Sequence, residues 1–165
     1  LKLHPIIQRV PLDDPRTRTA LEVCEAYNRP VLIHGGVSGY YLGREKWRNI
    51  PGFGKIIHIE KTVRNHPGVD FIIGHAGLFQ VQELCRRLKG FSNVWVDTSF
   101  QSPGTISKLV KVFGRDKVMY ASDWPFGSRP PHLKTVEIAC RGDADLGERL
   151  FSRNACMVLR LPQET

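Results

Sequence analysis

Three times in this chain a short aliphatic run stops at a chemically reactive side chain. Val31-Leu32-Ile33 leads into His34-Gly35-Gly36, Phe71-Ile72-Ile73 into Gly74-His75-Ala76-Gly77, and the run from Lys117 to Ala121 into Ser122-Asp123-Trp124-Pro125. Runs of this length, apolar throughout rather than alternating with polar residues, read as strands buried on both faces, the pattern of a parallel sheet. Side by side in one such sheet, they deliver two imidazoles and a carboxylate to a single crevice at the carboxyl ends of the strands.

The segments between the strands carry helical signals. A helix capped by Asp13 or Asp14 and running to about Tyr27 repeats apolar residues at Ala20, Leu21, Cys24 and Tyr27, which predicts one buried face. Further helices are expected over 55–65, with Ile56, Ile59 and Val63 inward, then over 79–88 and over 103–113, where Pro103 suits a first turn and Gly114 an end. The tail predicts helices over 133–140 and 145–159, the second capped by Asp143 and burying Leu146, Leu150, Phe151 and Leu159. Strands are expected over 1–5, 31–34, 69–74, 93–97 and 117–121. Residues 35–54, rich in glycine, form a connection long enough to cover a site. Strand and helix alternate five times, so the fold class is α/β with a parallel sheet, open or rolled into a barrel. No Gly-x-Gly-x-x-Gly follows any strand, and ligand-type residues end strand after strand, which favours the barrel. Residues 1–165 read as one domain.

Composition narrows the partners. Twenty-four Lys and Arg against 16 Asp and Glu give a formal charge of +8. The basic residues are dispersed, with no basic run interleaved with aromatics, so a small acidic substrate is expected rather than nucleic acid. Cys24, Cys85, Cys140 and Cys156 lack Cys-x-x-Cys spacing, which points to reduced thiols in a cytoplasmic protein. No apolar run approaches the roughly 20 residues that span a bilayer, so no membrane partner is expected.

Several stretches taken together resemble the metal-dependent amidohydrolase superfamily, in particular the amidohydrolase-2 branch with aminocarboxymuconate-semialdehyde decarboxylase and related lactone hydrolases. They are Lys2-Leu3-His4-Pro5, Pro30 to Gly36, Phe71 to Gly77, Val94-Trp95-Val96-Asp97-Thr98-Ser99, Ala121 to Phe126, and Asn154-Ala155. The match runs in order through essentially the whole chain. It implies a (β/α)8 barrel of the TIM type, of which this chain carries strands four to eight with the N-terminal strands absent. The His-x-His pair that ends the family's first strand does not occur in this sequence.

The resemblance assigns roles residue by residue. His34 corresponds to a metal ligand, Asp123 to a ligand that also takes the proton of the attacking water, and His75 to a catalytic group that activates water or polarises substrate. His4, Trp124 and Arg48 are expected to contact substrate. Lys2 is read as a plain strand lysine rather than a carbamylated bridge, and Asp97 as a hydrogen-bonding residue of its turn. The implied cofactor is a divalent metal, zinc above all. The implied reaction is hydrolysis of an ester, lactone or amide of a small carboxylate-bearing molecule, with non-oxidative decarboxylation as the alternative. A third expectation is a partner-dependent or inactive barrel fragment, forming a homo-oligomer or pairing with the N-terminal half.

Overall fold

In the computed structural model, which describes residues 1–162, five strands form one sheet in the order of the sequence. They are β1 (Lys2–Leu3), β2 (Val31–His34), β3 (Phe71–Gly74), β4 (Val94–Asp97) and β5 (Val118–Met119), each parallel to its neighbour. The order follows from the connections: each strand is followed by helix, and a right-handed crossover sets the next strand beside the last.

The sheet has two unlike faces, because side chains alternate along a strand. Leu3, Val31, Ile33, Phe71, Ile73, Val94, Val96 and Val118 point to the helical layer and form the main core. Against them pack α2 (Pro15–Ala26), α3 (Ile56–Asn65), α4 (Val81–Leu88) and α5 (Pro103–Phe113) through Leu21, Ile59, Val63, Leu84, Leu88, Ile106 and Leu109. Phe71, at the centre, has no exposed surface. The opposite, concave face carries Leu32, Ile72, Trp95 and Met119. Registers Lys2↔Leu32, Leu32↔Ile72 and Ile72↔Trp95 line up the first three as a row across the strands, while Met119 pairs with Asp97, two residues beyond Trp95. A cavity of about 600 Å³ opens over this face, and β1 and β5 pair on one side only among the described residues.

Most predicted caps are in place. Asp14 accepts the N–H of Arg16 at 2.9 Å and Asp143 that of Leu146 at 3.0 Å, and Ser102, which the sequence reading did not name, accepts that of Thr105 at 3.2 Å. Three expectations are corrected. Pro5 does not simply end the first strand; it starts the short α1 (Pro5–Gln8), as proline can at a first turn. Tyr27 is 73% exposed, since α2 has already ended at Ala26. The second of the two tail helices is not regular: after α6 (Arg129–Ala139), α7 (Ala144–Glu148) runs into a π turn, Arg149–Arg153, and then α8 (Asn154–Leu159). That turn moves the buried face onto Leu146, Leu150, Asn154 and Val158, and leaves Phe151 and Leu159 partly exposed. Asn154 faces β5, where its Nδ2 donates to the carbonyls of Arg115 at 2.7 Å and Val118 at 2.6 Å.

Candidate active site

The carboxyl ends of β1, β2 and β3 and the loop after β5 converge on a cavity of about 260 Å³, lined by Lys2, His4, His34, Tyr40, His75 and Asp123, with Ile7, Leu78, Phe100 and Phe126 as its apolar wall. His34 ends β2 and is buried. Gly35 and Gly36 follow it because nothing larger fits: a Cβ on Gly35 would stand 2.7 Å from Ile73 and 2.9 Å from the Gly74 carbonyl.

His75 leaves β3 in a left-handed conformation, φ 57°, followed by Ala76 at 43° and Gly77 at 81°. Non-glycine residues rarely adopt such angles, and they persist where surrounding bonds impose them. Those bonds are present. The His75 N–H donates to Asp97 Oδ1 at 2.8 Å, and the Gln101 amide donates to the His75 carbonyl at 2.7 Å.

The imidazoles touch. His75 Nε2 lies 3.0 Å from His34 Nδ1, and His4 stacks on His34 with ring centroids 3.9 Å apart. His34 Nε2 faces the Tyr40 hydroxyl at 3.0 Å and the Ser38 hydroxyl at 3.2 Å. Burial holds all three rings in the neutral form. It pulls His34 down to about 2 and His4 to about 4, in both cases with help from neighbouring basic groups, and it lowers His75 against the opposing fields of Asp97 and Asp123. The Lys2 ammonium is lowered by desolvation too, again opposed by Asp97 and Asp123. A Cβ on Gly74 would stand 3.1 Å from the Ile33 carbonyl oxygen and in ordinary contact with Lys2 Nζ and Asp97 Oδ2, which places both groups beside this strand end.

These depressed values predict an acid-sensitive fold. Unfolded histidine takes up a proton near pH 6.5 whereas the folded rings resist, so the unfolded state binds more protons as pH falls. The stability these rings contribute is complete above about pH 6.5 and is lost progressively down through pH 4. Thermal unfolding between pH 7.5 and 4.5 should show a falling Tm, at about 2–4 °C per kcal/mol lost. His4→Asn, which retains a cap for α1 in place of the His4 Nδ1 that accepts from Ile7 N, should flatten that slope; an unaltered slope would exclude His4 as a contributor.

Of the expected site residues, His34, His75, Asp123 and His4 are brought together, with Lys2 among them. Trp124 and Arg48 do not line the cavity. Trp124 is 63% exposed under the Arg129 guanidinium, and Arg48 pairs with Glu45 at 2.9 Å and lies over the Tyr41 ring. The strand-end pattern carries no signal for Tyr40, which arrives on the glycine-rich connection, or for Phe100 and Phe126. Asp97 does bond within its own turn, through Ser99 N–H at 3.0 Å and Ser99 Oγ at 2.6 Å, but it also reaches His75 just past the end of the neighbouring β3.

Imidazole nitrogen and carboxylate oxygen are suitable donors for a divalent cation. They fit in kind and fall short in number, since no group of three His, Cys, Asp or Glu able to hold a metal forms among the described residues.

The amidohydrolase family model matches residues 1–161. The chain belongs to that family. No curated protein matches it. Among solved structures, 5-carboxyvanillate decarboxylase of Sphingomonas paucimobilis superposes with a TM-score of 0.71 at 18% identity, over 98% of this chain and 58% of its own. The 2,6-dihydroxybenzoate decarboxylase of Rhizobium gives 0.70 at 17% identity, over 92% and 57%. Dihydroxybenzoic acid decarboxylase of Polaromonas, solved with bound manganese and the inhibitor 2-nitroresorcinol, gives 0.69 at 16% identity, over 94% and 57%. At these identities the likeness is one of fold, and this amidohydrolase chain spans less than two thirds of the length of those structures.

Proposed function

We propose that this amidohydrolase chain carries the carboxylate-binding and acid–base part of a metal-dependent decarboxylase acting on small aromatic acids. The observation that carries the reading is the cavity itself. Phe100, Phe126, Tyr40, Ile7 and Leu78 form an apolar, aromatic wall, and Lys2, three neutral imidazoles and Asp123 form a polar one in which Lys2 is the cation. Such a pocket takes a planar ring on one side and its carboxylate on the other. That three solved neighbours are decarboxylases of hydroxylated benzoates supports this reaction over hydrolysis.

In the reaction, Lys2 orients the substrate carboxylate and the aromatic wall excludes water from the ring. The bond between ring carbon and carboxyl carbon breaks, CO2 leaves, and the electron pair stays on the ring carbon. A proton must reach that carbon, and the Asp123 carboxyl group, at the cavity wall, is the acid–base group we assign to relay it. His34 and Asp123 are the residues of this chain that would hold a divalent metal, together with ligands from elsewhere in the protein or from a partner polypeptide. When bound, the metal would supply Lewis-acid polarisation of substrate oxygens.

The test is CO2 release from a panel of hydroxybenzoates, with Mn2+ or Zn2+ added to the metal-stripped protein, run beside a panel of lactones and esters. Metal-dependent CO2 release with untouched lactones is expected. Acid release from the lactones without CO2 would replace decarboxylation by hydrolysis. Inactivity toward both panels with either metal, in the protein that joins this chain to those further ligands, would overturn the proposal.

A further inference from the structure

One continuous set of hydrogen bonds runs beneath the cavity. Asp97 Oδ1 accepts from Ser99 Oγ at 2.6 Å, Ser99 Oγ lies 2.7 Å from His75 Nδ1, and His75 Nε2 lies 3.0 Å from His34 Nδ1. His34 Nε2 ends the set against the hydroxyls of Tyr40 and Ser38. We propose that Asp97 and Ser99 are positioning residues that fix both imidazoles as Nδ1–H tautomers and so leave His34 Nε2 as a bare acceptor at the cavity wall.

The polarity follows from donor counting. A carboxylate oxygen only accepts, so the single hydroxyl hydrogen of Ser99 points to Asp97. The Ser99 oxygen can then only accept from His75, whose Nδ1 must carry the ring hydrogen. A neutral imidazole has one N–H, so His75 Nε2 is an acceptor, and the nitrogen facing it, His34 Nδ1, is the donor. By the same count His34 Nε2 has no hydrogen. The two groups that face it, Tyr40 and Ser38, are both hydroxyls able to donate, which agrees with that polarity.

The anchor is rigid. Asp97 and Ser99 are buried at 7% and 1% exposure, and Asp97 Oδ1 also takes the backbone N–H groups of His75 and Ser99. Residue 75 is thereby held at its amide nitrogen, at its carbonyl through Gln101, and at its ring. Without this anchor, histidine in water favours the opposite, Nε2–H tautomer.

The chemical consequence concerns ligand choice. A bare Nε2 is the one nitrogen of His34 with a free lone pair, so it is the atom through which His34 would hold a divalent cation, with Tyr40 and Ser38 as the hydroxyls that cover it otherwise. This deepens the reading of the cavity as the active site, yet the tautomers are observable without turnover. A failure to release CO2 therefore leaves the inference standing, and a wrong tautomer leaves the decarboxylase proposal standing.

The experiment is long-range 1H–15N correlation on the full chain labelled with 15N-histidine at neutral pH, where bare and protonated ring nitrogens are well separated. His34 and His75 should both show a protonated Nδ1 and a bare Nε2. Ser99→Ala should shift both rings toward Nε2–H, and Ser99→Thr, which retains a hydroxyl, should keep the wild-type pattern. A protonated Nε2 on either ring of the wild-type protein would overturn the inference whether or not the alanine variant folds. So would a folded Ser99→Ala protein with unchanged tautomers.

Discussion

Asp123→Asn should lower CO2 release by roughly 10²–10⁴-fold, the range for removal of a positioned acid or base. It should do so with little change in Tm. Asp123 has φ 55°, a left-handed conformation that Asn tolerates as well as Asp. Its side chain makes no hydrogen bond among the described residues, so the amide leaves no partner stranded. The same variant separates two roles. If Asp123 acts chiefly as the proton donor, calorimetric affinity for Mn2+ or Zn2+ should survive better than activity. If it acts chiefly as a ligand, the two should fall together. A loss below tenfold would place the donor elsewhere among the cavity's proton-bearing groups, Lys2, His4, Tyr40 and His75.

Gly36→Ala should be strongly destabilising, because a steric clash and a left-handed backbone coincide there. Gly36 has φ 102°, and a Cβ there would stand 2.8 Å from the Gly77 carbonyl carbon and closer still to its oxygen. Its N–H also donates to Gly54 O at 3.2 Å, so the segment cannot retreat from the clash without giving up that bond. We expect destabilisation of about 3 kcal/mol or more, from backbone strain and steric displacement together. At this chain length each kcal/mol lowers Tm by about 2–4 °C. Gly43→Ala is the matched control: φ is 55° there, but nothing lies within 4 Å of the added carbon, so only the left-handed conformation is penalised, by about 1–2 kcal/mol. Equal losses at the two positions would mean that the approach of Gly36 to Gly77 is not what holds the floor of the cavity.

The strands were legible because uninterrupted aliphatic runs have few other uses, and the polar residue at the end of each run marked the edge at which the cavity opens. That was enough to bring His34, His75 and Asp123 to one place. It was not enough for Tyr40, whose position depends on how the 35–54 connection folds back over the strand ends, nor for the tie from Asp97 to His75, which joins residues on different strands. Arg48 shows the converse. A cation on a loop near a site looks like a carboxylate ligand until Glu45 is found beside it. The buried face of the tail was misjudged for a local reason, since regular helical spacing assigns Phe151 and Leu159 inward and a π turn carries no clear mark in the residues that form it.

That π turn bears on what lengths the tail can have. Buried residues four apart drift about 40° per step around a regular helix, so Leu146, Leu150, Asn154 and Val158 would spiral off the sheet without the wider turn between them. Widening holds Asn154 against the carbonyls that lead into β5, and the Leu150 carbonyl accepts the Tyr120 N–H at 2.7 Å just upstream of Asp123. The turn is in effect one spare residue. Shortening the chain by one position within 149–153 would let it relax to an ordinary helical turn with the flanking faces still in phase, whereas the same deletion in α5 would rotate Ile106 and Leu109 relative to each other with no slack to absorb it.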